Sequence, residues 1–203
     1  MLLNIHPKNP AERKIRRVVE ALTSGGVIIY PTDTVYALGC DILQPKAIER
    51  ICRIRALNPA KVNMTIVCQH ISQLAQHTQQ LDNQLFKMLK RNLPGPFTFI
   101  LPASGKLPKL LKNKRKKIGI RIPDHPIPQA IVAALDRPML SISLKSDDEI
   151  IEYFTDPSEI HDDFGRLVDL VIDGGVGGNV PSAIVNCCVS PYEIIRQGRL
   201  ELV

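Results

Sequence analysis

Hydroxyl and guanidinium side chains lie at the ends of several apolar runs in this sequence. An arginine can grip a phosphate or a carboxylate as a planar fork, and serine and threonine hydroxyls add short hydrogen bonds. Such side chains suit a ligand with a phosphate and a carboxylate if they converge on one crevice. Singly, each is more often a turn residue or a member of a surface ion pair. The candidates are Thr34, Arg121, Ser141, Ser143, Ser182 and Arg196.

Other polar features of the sequence favour structural roles. His125 lies in a proline-rich turn with no second titratable group placed beside it, so we expect it to be structural. No nucleophile–base pair is visible and the other histidines lack metal-ligand spacing, so we predict no catalytic residue and no protein-held metal. Residues 173–178 resemble a glycine-rich phosphate loop but lack the P-loop lysine. A turn that approaches a ligand and a purely structural turn both remain open there.

One stretch, residues 106–121, is strongly basic and contains no acidic residue. Together with the net charge of +6, it favours an anionic partner. Clustered cations of this kind contact the phosphates of nucleic acids, although a solvated basic loop is a serious alternative. The candidate RNA-binding residues are Lys112, Lys114, Arg115, Lys116 and Lys117.

The spacing of apolar residues predicts the elements that position these side chains. Helical periodicity predicts one helix capped by Asn9, one over residues 46–57, one that begins at Asp82 and one over residues 127–135. The acidic, weakly patterned residues 147–163 are predicted to be a surface excursion. Apolar runs predict strands over residues 27–30, 64–68, 97–101, 118–122, 139–143, 170–173, 182–186 and 192–196.

The order of these elements predicts an α/β protein of the α+β type, because helices and strands alternate early and strands follow closely later. We expect one twisted sheet of mixed parallel and antiparallel strands, flanked by helices. The 203 residues, 44% of them apolar, suit a single domain over residues 1–203. No apolar run approaches the ~18–20 residues that span a bilayer, and we see no signal peptide, so we expect a cytoplasmic protein. The five cysteines are predicted to be buried, reduced thiols.

Several motifs, in order along most of the chain, resemble the YrdC/YciO family. The opening motif corresponds to residues 26–40, GVIIYPTDTVYALGC, and the PGPxT turn of the family corresponds to residues 94–98. Residues 118–126, IGIRIPDHP, are similar to the VRxPxHP segment of the family. Residues 172–175 and 195–198 match its later signatures.

The resemblance implies a twisted α/β fold with a concave, positively charged surface. Family members with the full motif make threonylcarbamoyl-AMP from threonine, bicarbonate and ATP, with ATP and magnesium as the substrate complex, for the modification of tRNA. The family is also linked to double-stranded RNA. By resemblance, threonine would be held by Thr34, Arg121 and Ser182, and the nucleotide would contact Ser141, Ser143 and Arg196.

Two motifs of the full synthases are altered in this chain. Synthases carry Lys-x-Arg after the second helix, where this chain has Arg55-Ala56-Leu57, and they carry Ser-x-Asn where it has Ser143-Leu144-Lys145. Val67 also replaces a histidine that is frequent in synthases. These changes resemble the YciO branch. Arg55 and Lys145 remain candidates for nucleotide binding, but they supply charge with a different geometry.

Three hypotheses follow from the sequence. The first is a threonylcarbamoyl-AMP synthase with weak or altered activity. The second is a module that binds double-stranded RNA or tRNA without turnover; the aromatic content of 4% argues against single-strand recognition by base stacking. The third is a protein that binds a small nucleotide and performs no reaction.

Overall fold

The computed structural model describes residues 1–58, 65–105, 107, 116–145 and 153–203. Its strands are β1 (Leu2–Asn4), β2 (Ile28–Tyr30), β3 (Ala37–Asp41), β4 (Thr65–Val67), β5 (Phe97–Pro102), β6 (Lys117–Arg121), β7 (Met139–Ser143), β8 (Leu170–Asp173), β9 (Ala183–Asn186) and β10 (Glu193–Arg196). Its helices are α1 (Glu12–Thr23), α2 (Pro45–Ile54), α3 (Ile71–Ala75), α4 (Asn83–Asn92), α5 (Pro126–Leu135) and α6 (Pro157–Phe164).

All the described strands belong to one sheet, in the order β1-β8-β2-β3-β7-β4-β6-β5-β9-β10. Four neighbouring pairs are parallel, namely β1 with β8, β8 with β2, β4 with β6 and β5 with β9. The other five pairs are antiparallel. The predicted mixed sheet flanked by helices is therefore confirmed.

The two faces of the sheet carry different helices. Alternation along each strand sends neighbouring side chains to opposite faces, so that Met139 packs into one core and Leu140 into the other. Helices α1 and α5 cover one face over β1, β8, β2 and β3. Helices α2, α3, α4 and α6 pack against the opposite face.

The face that carries α1 and α5 is only partly covered. Among the described residues, none from β5, β6, β9 or β10 belongs to the core beneath these two helices. The sheet therefore presents an uncovered half beside α5. Strand alternation directs Ser141, Arg121 and Thr98 onto this open half, since their neighbours Leu140, Ile120 and other apolar residues enter the opposite core.

Helix starts show where the local sequence decides the structure. The helix predicted to begin at Asp82 begins one residue later, and the Asp82 carboxylate caps it by accepting a hydrogen bond of 2.8 Å from the Leu85 N–H. The predicted Asn9 cap of α1 is wrong, because the helix begins at Glu12 after Ala11. The backbone N–H of Asn9 instead donates to His6 Nδ1 at 3.1 Å, which holds the chain in a turn before the helix.

Several elements differ from the predicted ones. Strands β1 and β3 and helix α3 were not predicted, and α2 ends at Ile54 because Ala56 adopts a left-handed φ of 47°. The prediction of an excursion over residues 147–163 is wrong in part. Asp156 caps α6 through the Ser158 N–H at 2.7 Å, and Pro157 suits the first turn.

None of the helices in the described ranges is both long and apolar enough to cross a membrane.

Candidate functional site

A cavity of about 260 Å³ opens on the uncovered half of the sheet. It brings together seven of the eight residues that the sequence predicted for substrate and nucleotide binding. They come from strands β6, β7 and β10 and from the segments that flank α2, β7 and β9. The seven are Arg55, Arg121, Ser141, Ser143, Lys145, Ser182 and Arg196.

Strand register explains this convergence. Thr65 on β4 lies opposite Ser141 on β7 and also beside Gly119 on β6. Farther along the cavity, Thr98 on β5 pairs with Ile184 on β9, which in turn pairs with Arg196 on β10. Residues that are far apart in the chain thus lie in two rows of paired residues across the same face of the sheet.

Arg121 is the most deeply buried cation of the cavity, with 4% of its surface exposed. Its Nη2 donates to Asp33 Oδ1 at 2.5 Å and to Thr34 Oγ1 at 2.6 Å, and it lies 3.4 Å from Thr32 Oγ1. Its Nε is also buried, and no described residue accepts a hydrogen bond from it. One edge of the guanidinium is therefore fixed by the protein, while the Nε edge retains an unused donor.

Among the eight residues predicted to bind substrate or nucleotide, Thr34 alone does not line this cavity. It stands behind Arg121, where its hydroxyl accepts from the guanidinium and lies 3.1 Å from the hydroxyl of Thr32. Asp33 also accepts from the Asp124 N–H at 3.1 Å, which ties the first loop to the segment after β6. These residues orient Arg121 from behind the cavity wall.

Ser182 and Arg196 form a second connected group. Arg196 Nε donates to the Ser182 carbonyl oxygen at 3.0 Å, and the Ser182 hydroxyl lies 2.8 Å from that of Thr98. The Arg196 side chain is thus held beside the cavity. Sequence reasoning missed Thr98 and Thr65 as lining residues; Thr98 is the threonine of the PGPxT turn, which was the available signal.

The lining of the cavity is positively charged, although the Asp33 carboxylate pairs with Arg121 from behind the wall. Four of its lining residues are cations, and no acidic side chain lines it among the residues that the structure describes. Arg55 Nη1 donates to the Lys145 carbonyl oxygen at 2.7 Å. The Lys145 ammonium lies 5.5 Å from the centre of the Tyr153 ring. Such a cavity favours an anionic ligand.

His125 has the structural role predicted from its turn. Its Nδ1 accepts from the Ile127 N–H at 3.2 Å and so caps α5. Burial lowers the pKa of the imidazole, against the opposing effect of the Asp33 and Asp124 carboxylates. A neutral ring is the form that can accept at Nδ1.

The glycine-rich segment packs against protein. A Cβ on Gly178 would collide with the Thr34 carbonyl oxygen, and one on Gly177 would come 2.6 Å from the Tyr36 ring. The Tyr36 hydroxyl donates to the Gly175 carbonyl oxygen at 2.7 Å. Close backbone packing thus accounts for these glycines. The segment also borders a second cavity of about 510 Å³, behind Thr34 and Asp33.

The predicted RNA-binding residues are described only in part. Lys112, Lys114 and Arg115 lie outside the described residues, whereas Lys116 is exposed and Lys117 is half-buried at the start of β6. Lys117 alternates with Gly119 and Arg121 and so faces the open half of the sheet.

The five cysteines are free thiols, as predicted; four of them are buried, whereas Cys188 is partly exposed. Burial raises the pKa of Cys68 and of Cys187 to about 12. In the described part of the chain, no cluster of histidine, cysteine, aspartate or glutamate is arranged to hold a metal ion.

Comparison with known proteins identifies relatives along nearly the whole chain. The family model Sua5_yciO_yrdC, described as telomere recombination, matches residues 20–198. The Escherichia coli protein YciO, itself uncharacterized, is 45% identical over 196 residues, which cover 96% of this chain and 93% of that protein. A threonylcarbamoyl-AMP synthase of Vibrio campbellii is 30% identical over 189 residues, covering 92% of this chain and all (100%) of the synthase.

Solved structures give the same result. The crystal structure of E. coli YciO has a TM-score of 0.93 at 42% identity and covers 99% of this chain and 97% of its own. P. abyssi Sua5, solved in complex with L-threonine, has a TM-score of 0.88 at 25% identity. That likeness covers 98% of this chain and 57% of the Sua5 chain.

Proposed function

Because this chain belongs to the Sua5/YciO/YrdC family, we propose that its cavity binds ATP, as its magnesium complex, together with threonine or a similar amino acid. We further propose that it forms threonylcarbamoyl-AMP at a low rate or from an altered substrate. The observation that carries this proposal is Arg121, a buried guanidinium with an unused donor edge in a cavity of cations and hydroxyls.

The unused edge of Arg121 suits a carboxylate or a phosphate. A buried donor without a partner costs about 1–3 kcal/mol, and an anionic oxygen in the cavity would relieve that cost. Ser182, which is held by Arg196, lies on the same wall and offers a hydroxyl. A ligand carboxylate at Arg121 and a phosphate near Ser143 and Arg196 would use the predicted residues together.

The proposed reaction needs alignment more than covalent help from the protein. A carbamate oxygen attacks the α-phosphorus of ATP, the bond from that phosphorus to the bridging oxygen breaks, and pyrophosphate leaves with the electron pair. Fixed cations such as Arg121 and Arg196 hold the reacting groups and offset the negative charge of the transition state. No side chain acts as a nucleophile in this scheme.

A low rate is expected from the altered motifs. Arg55 uses one of its N–H donors in the hydrogen bond to the Lys145 carbonyl oxygen. Leu57 places an apolar side chain at the cavity wall, where synthases have arginine. Losing one cation that acts on a transition state costs about 2–4 kcal/mol, or roughly a hundredfold or more in rate. Measurable turnover survives such a loss.

Calorimetry with ATP and threonine, followed by an assay of pyrophosphate release with bicarbonate, tests the proposal. Binding heat with slow, threonine-dependent release supports it, whereas heat without release indicates a nucleotide binder without turnover. No heat from either ligand overturns the proposal. Arg55→Gln and Arg53→Gln form a matched pair, because Arg53 is exposed near the end of the same helix. Only Arg55→Gln is expected to weaken ATP binding.

RNA binding is a second candidate function. One observation favours it: Lys117 alternates with Arg121 along β6, so this lysine lies on the face of the sheet that carries the cavity. A salt titration with duplex RNA tests it, because each phosphate contact adds about −0.7 to −0.9 to the log–log slope. Neutralising Lys114, Arg115, Lys116 and Lys117 together is expected to flatten the slope. An unchanged slope would show that these basic residues do not contact the RNA phosphates.

A further inference from the structure

Tyr30 does not itself line the cavity, but it forms a hydrogen bond with Ser141, which does. Its ring is fully buried on β2, yet its hydroxyl donates a hydrogen bond of 2.6 Å to Ser141 Oγ on β7. Strand β3 lies between these two strands in the sheet. The phenol therefore reaches across a neighbouring strand to a residue of the cavity wall.

Gly39 provides the space for this reach. It lies directly opposite Ser141 in the pairing of β3 with β7, and it pairs with Ile28 on the other side. A Cβ at Gly39 would come 2.8 Å from Tyr30 Cε1, closer than real contacts allow. Because Gly39 has no side chain, the Tyr30 ring lies over β3 and its hydroxyl meets Ser141.

The direction of the hydrogen bond determines what Ser141 can do. Burial raises the pKa of Tyr30 to about 12, so the phenol keeps its proton at neutral pH. Among the residues that the structure describes, Ser141 is its one acceptor. Ser141 Oγ therefore accepts a hydrogen bond from the Tyr30 hydroxyl. Among the described residues, none accepts a hydrogen bond from the Ser141 hydroxyl. That proton is available to the cavity that Ser141 lines.

We infer that Tyr30 is a positioning residue, which holds the Ser141 hydroxyl so that it donates to an anionic oxygen of the bound ligand. This inference rests on the proposed function, since it needs a phosphate or carboxylate in the cavity. A hydroxyl fixed in advance loses less freedom on binding than a rotating one. Ser141 is the group that touches the ligand, and Tyr30 acts through it.

A double-mutant cycle on ATP affinity tests the inference, with Tyr30→Phe, Ser141→Ala and both changes together. Tyr30→Phe keeps the ring and is expected to weaken binding about threefold to tenfold, the usual value of one hydrogen bond. In the Ser141→Ala background the same change is expected to have no further effect. A purely structural role predicts instead that Tyr30→Phe weakens binding equally in both backgrounds.

Two further variants keep the test decisive. Gly39→Ala retains both hydroxyls but displaces the ring, so it is expected to weaken binding as Tyr30→Phe does. Tyr36→Phe removes a phenol hydrogen bond outside the cavity and serves as the control for general loss of stability. If Tyr30→Phe binds ATP like the wild type, the inference fails while the proposed function stands. If the wild type binds neither ATP nor threonine, both fail.

Discussion

Arg55 and Lys145, at two positions where this chain departs from the synthase pattern, contact each other directly. Arg55 Nη1 donates to the Lys145 carbonyl oxygen at 2.7 Å, although the residues are 90 positions apart. The bond links the end of α2 to the segment after β7 at one edge of the cavity. Because Arg55 meets the backbone of Lys145 rather than its side chain, the identity of residue 145 can change without loss of this link.

Restoring the synthase motif is expected to raise the rate of threonylcarbamoyl-AMP formation. The variant Arg55→Lys, Leu57→Arg and Lys145→Asn returns a second cation to the wall that Leu57 occupies. Replacement of a missing electrostatic contact predicts an increase of about tenfold to a hundredfold in pyrophosphate release. Leu57→Gln, which adds a polar group without charge, is the control. Equal rates in the triple variant and the wild type, with ATP binding intact, contradict this explanation of the proposed low rate.

Removal of the Arg121 charge is expected to damage both folding and binding. Arg121→Leu leaves the Asp33 carboxylate in a buried position without its guanidinium, since both side chains are almost fully covered. Breaking a buried ion pair from one side costs about 3–5 kcal/mol in the free energy of unfolding. Urea denaturation measures this loss.

The double variant Arg121→Leu with Asp33→Asn separates the two effects. Removal of both charges is expected to recover much of the stability, but ATP and threonine binding should stay lost. Recovery of ligand binding in the double variant shows that Arg121 acts only through the fold.

Patterns of apolar residues predicted those helices and strands whose buried residues recur at a regular local spacing. Strand β7 has the predicted bounds, and α5 differs from its prediction by the single residue Pro126. Strand β3 was not predicted because Gly39 and Asp41 are poor strand formers. Their places depend on distant partners: Gly39 accommodates Tyr30, and the buried Asp41 carboxylate accepts from Arg137 at 2.6 Å.

The candidate site was predictable to a similar extent. The rule that ligands collect at strand ends, together with the family motifs, identified seven residues that now line one cavity. Neither signal predicted that Thr34 lies behind Arg121. The position of Thr34 depends on the hydrogen bonds that the Arg121 guanidinium donates to Asp33 and Thr34. Contacts between side chains distant in sequence leave no periodic signal in the chain.

Gly178→Ala is expected to disturb the support behind Arg121. The added methyl group would collide with the Thr34 carbonyl oxygen, so the loop or the Thr34 segment must shift. Overpacking of this kind costs about 1–3 kcal/mol of stability, and a shift of Thr34 is expected to weaken threonine binding as well. Gly105→Ala is the matched control, since nothing lies within 4 Å of its Cβ position. Equal stability of the two variants would show that the Gly178 segment adjusts freely.

The stability of the protein is expected to fall as the pH drops below the ordinary His125 pKa of 6.5. Burial lowers the pKa of this imidazole in the folded state, so the unfolded chain binds the proton first. The contribution of neutral His125 is therefore present above pH 6.5 and is lost as the pH falls through the lowered value. Protonation at Nδ1 also removes the acceptor for the Ile127 N–H, and loss of a helix cap costs about 0.5–2 kcal/mol. His125→Asn keeps a capping oxygen that does not titrate. Urea unfolding midpoints are measured from about pH 8 down to about pH 5, a range that brackets the ordinary histidine pKa. As the pH falls, the midpoint should decline less in this variant than in the wild type. Parallel declines in the two proteins would rule out His125 as the source of the loss.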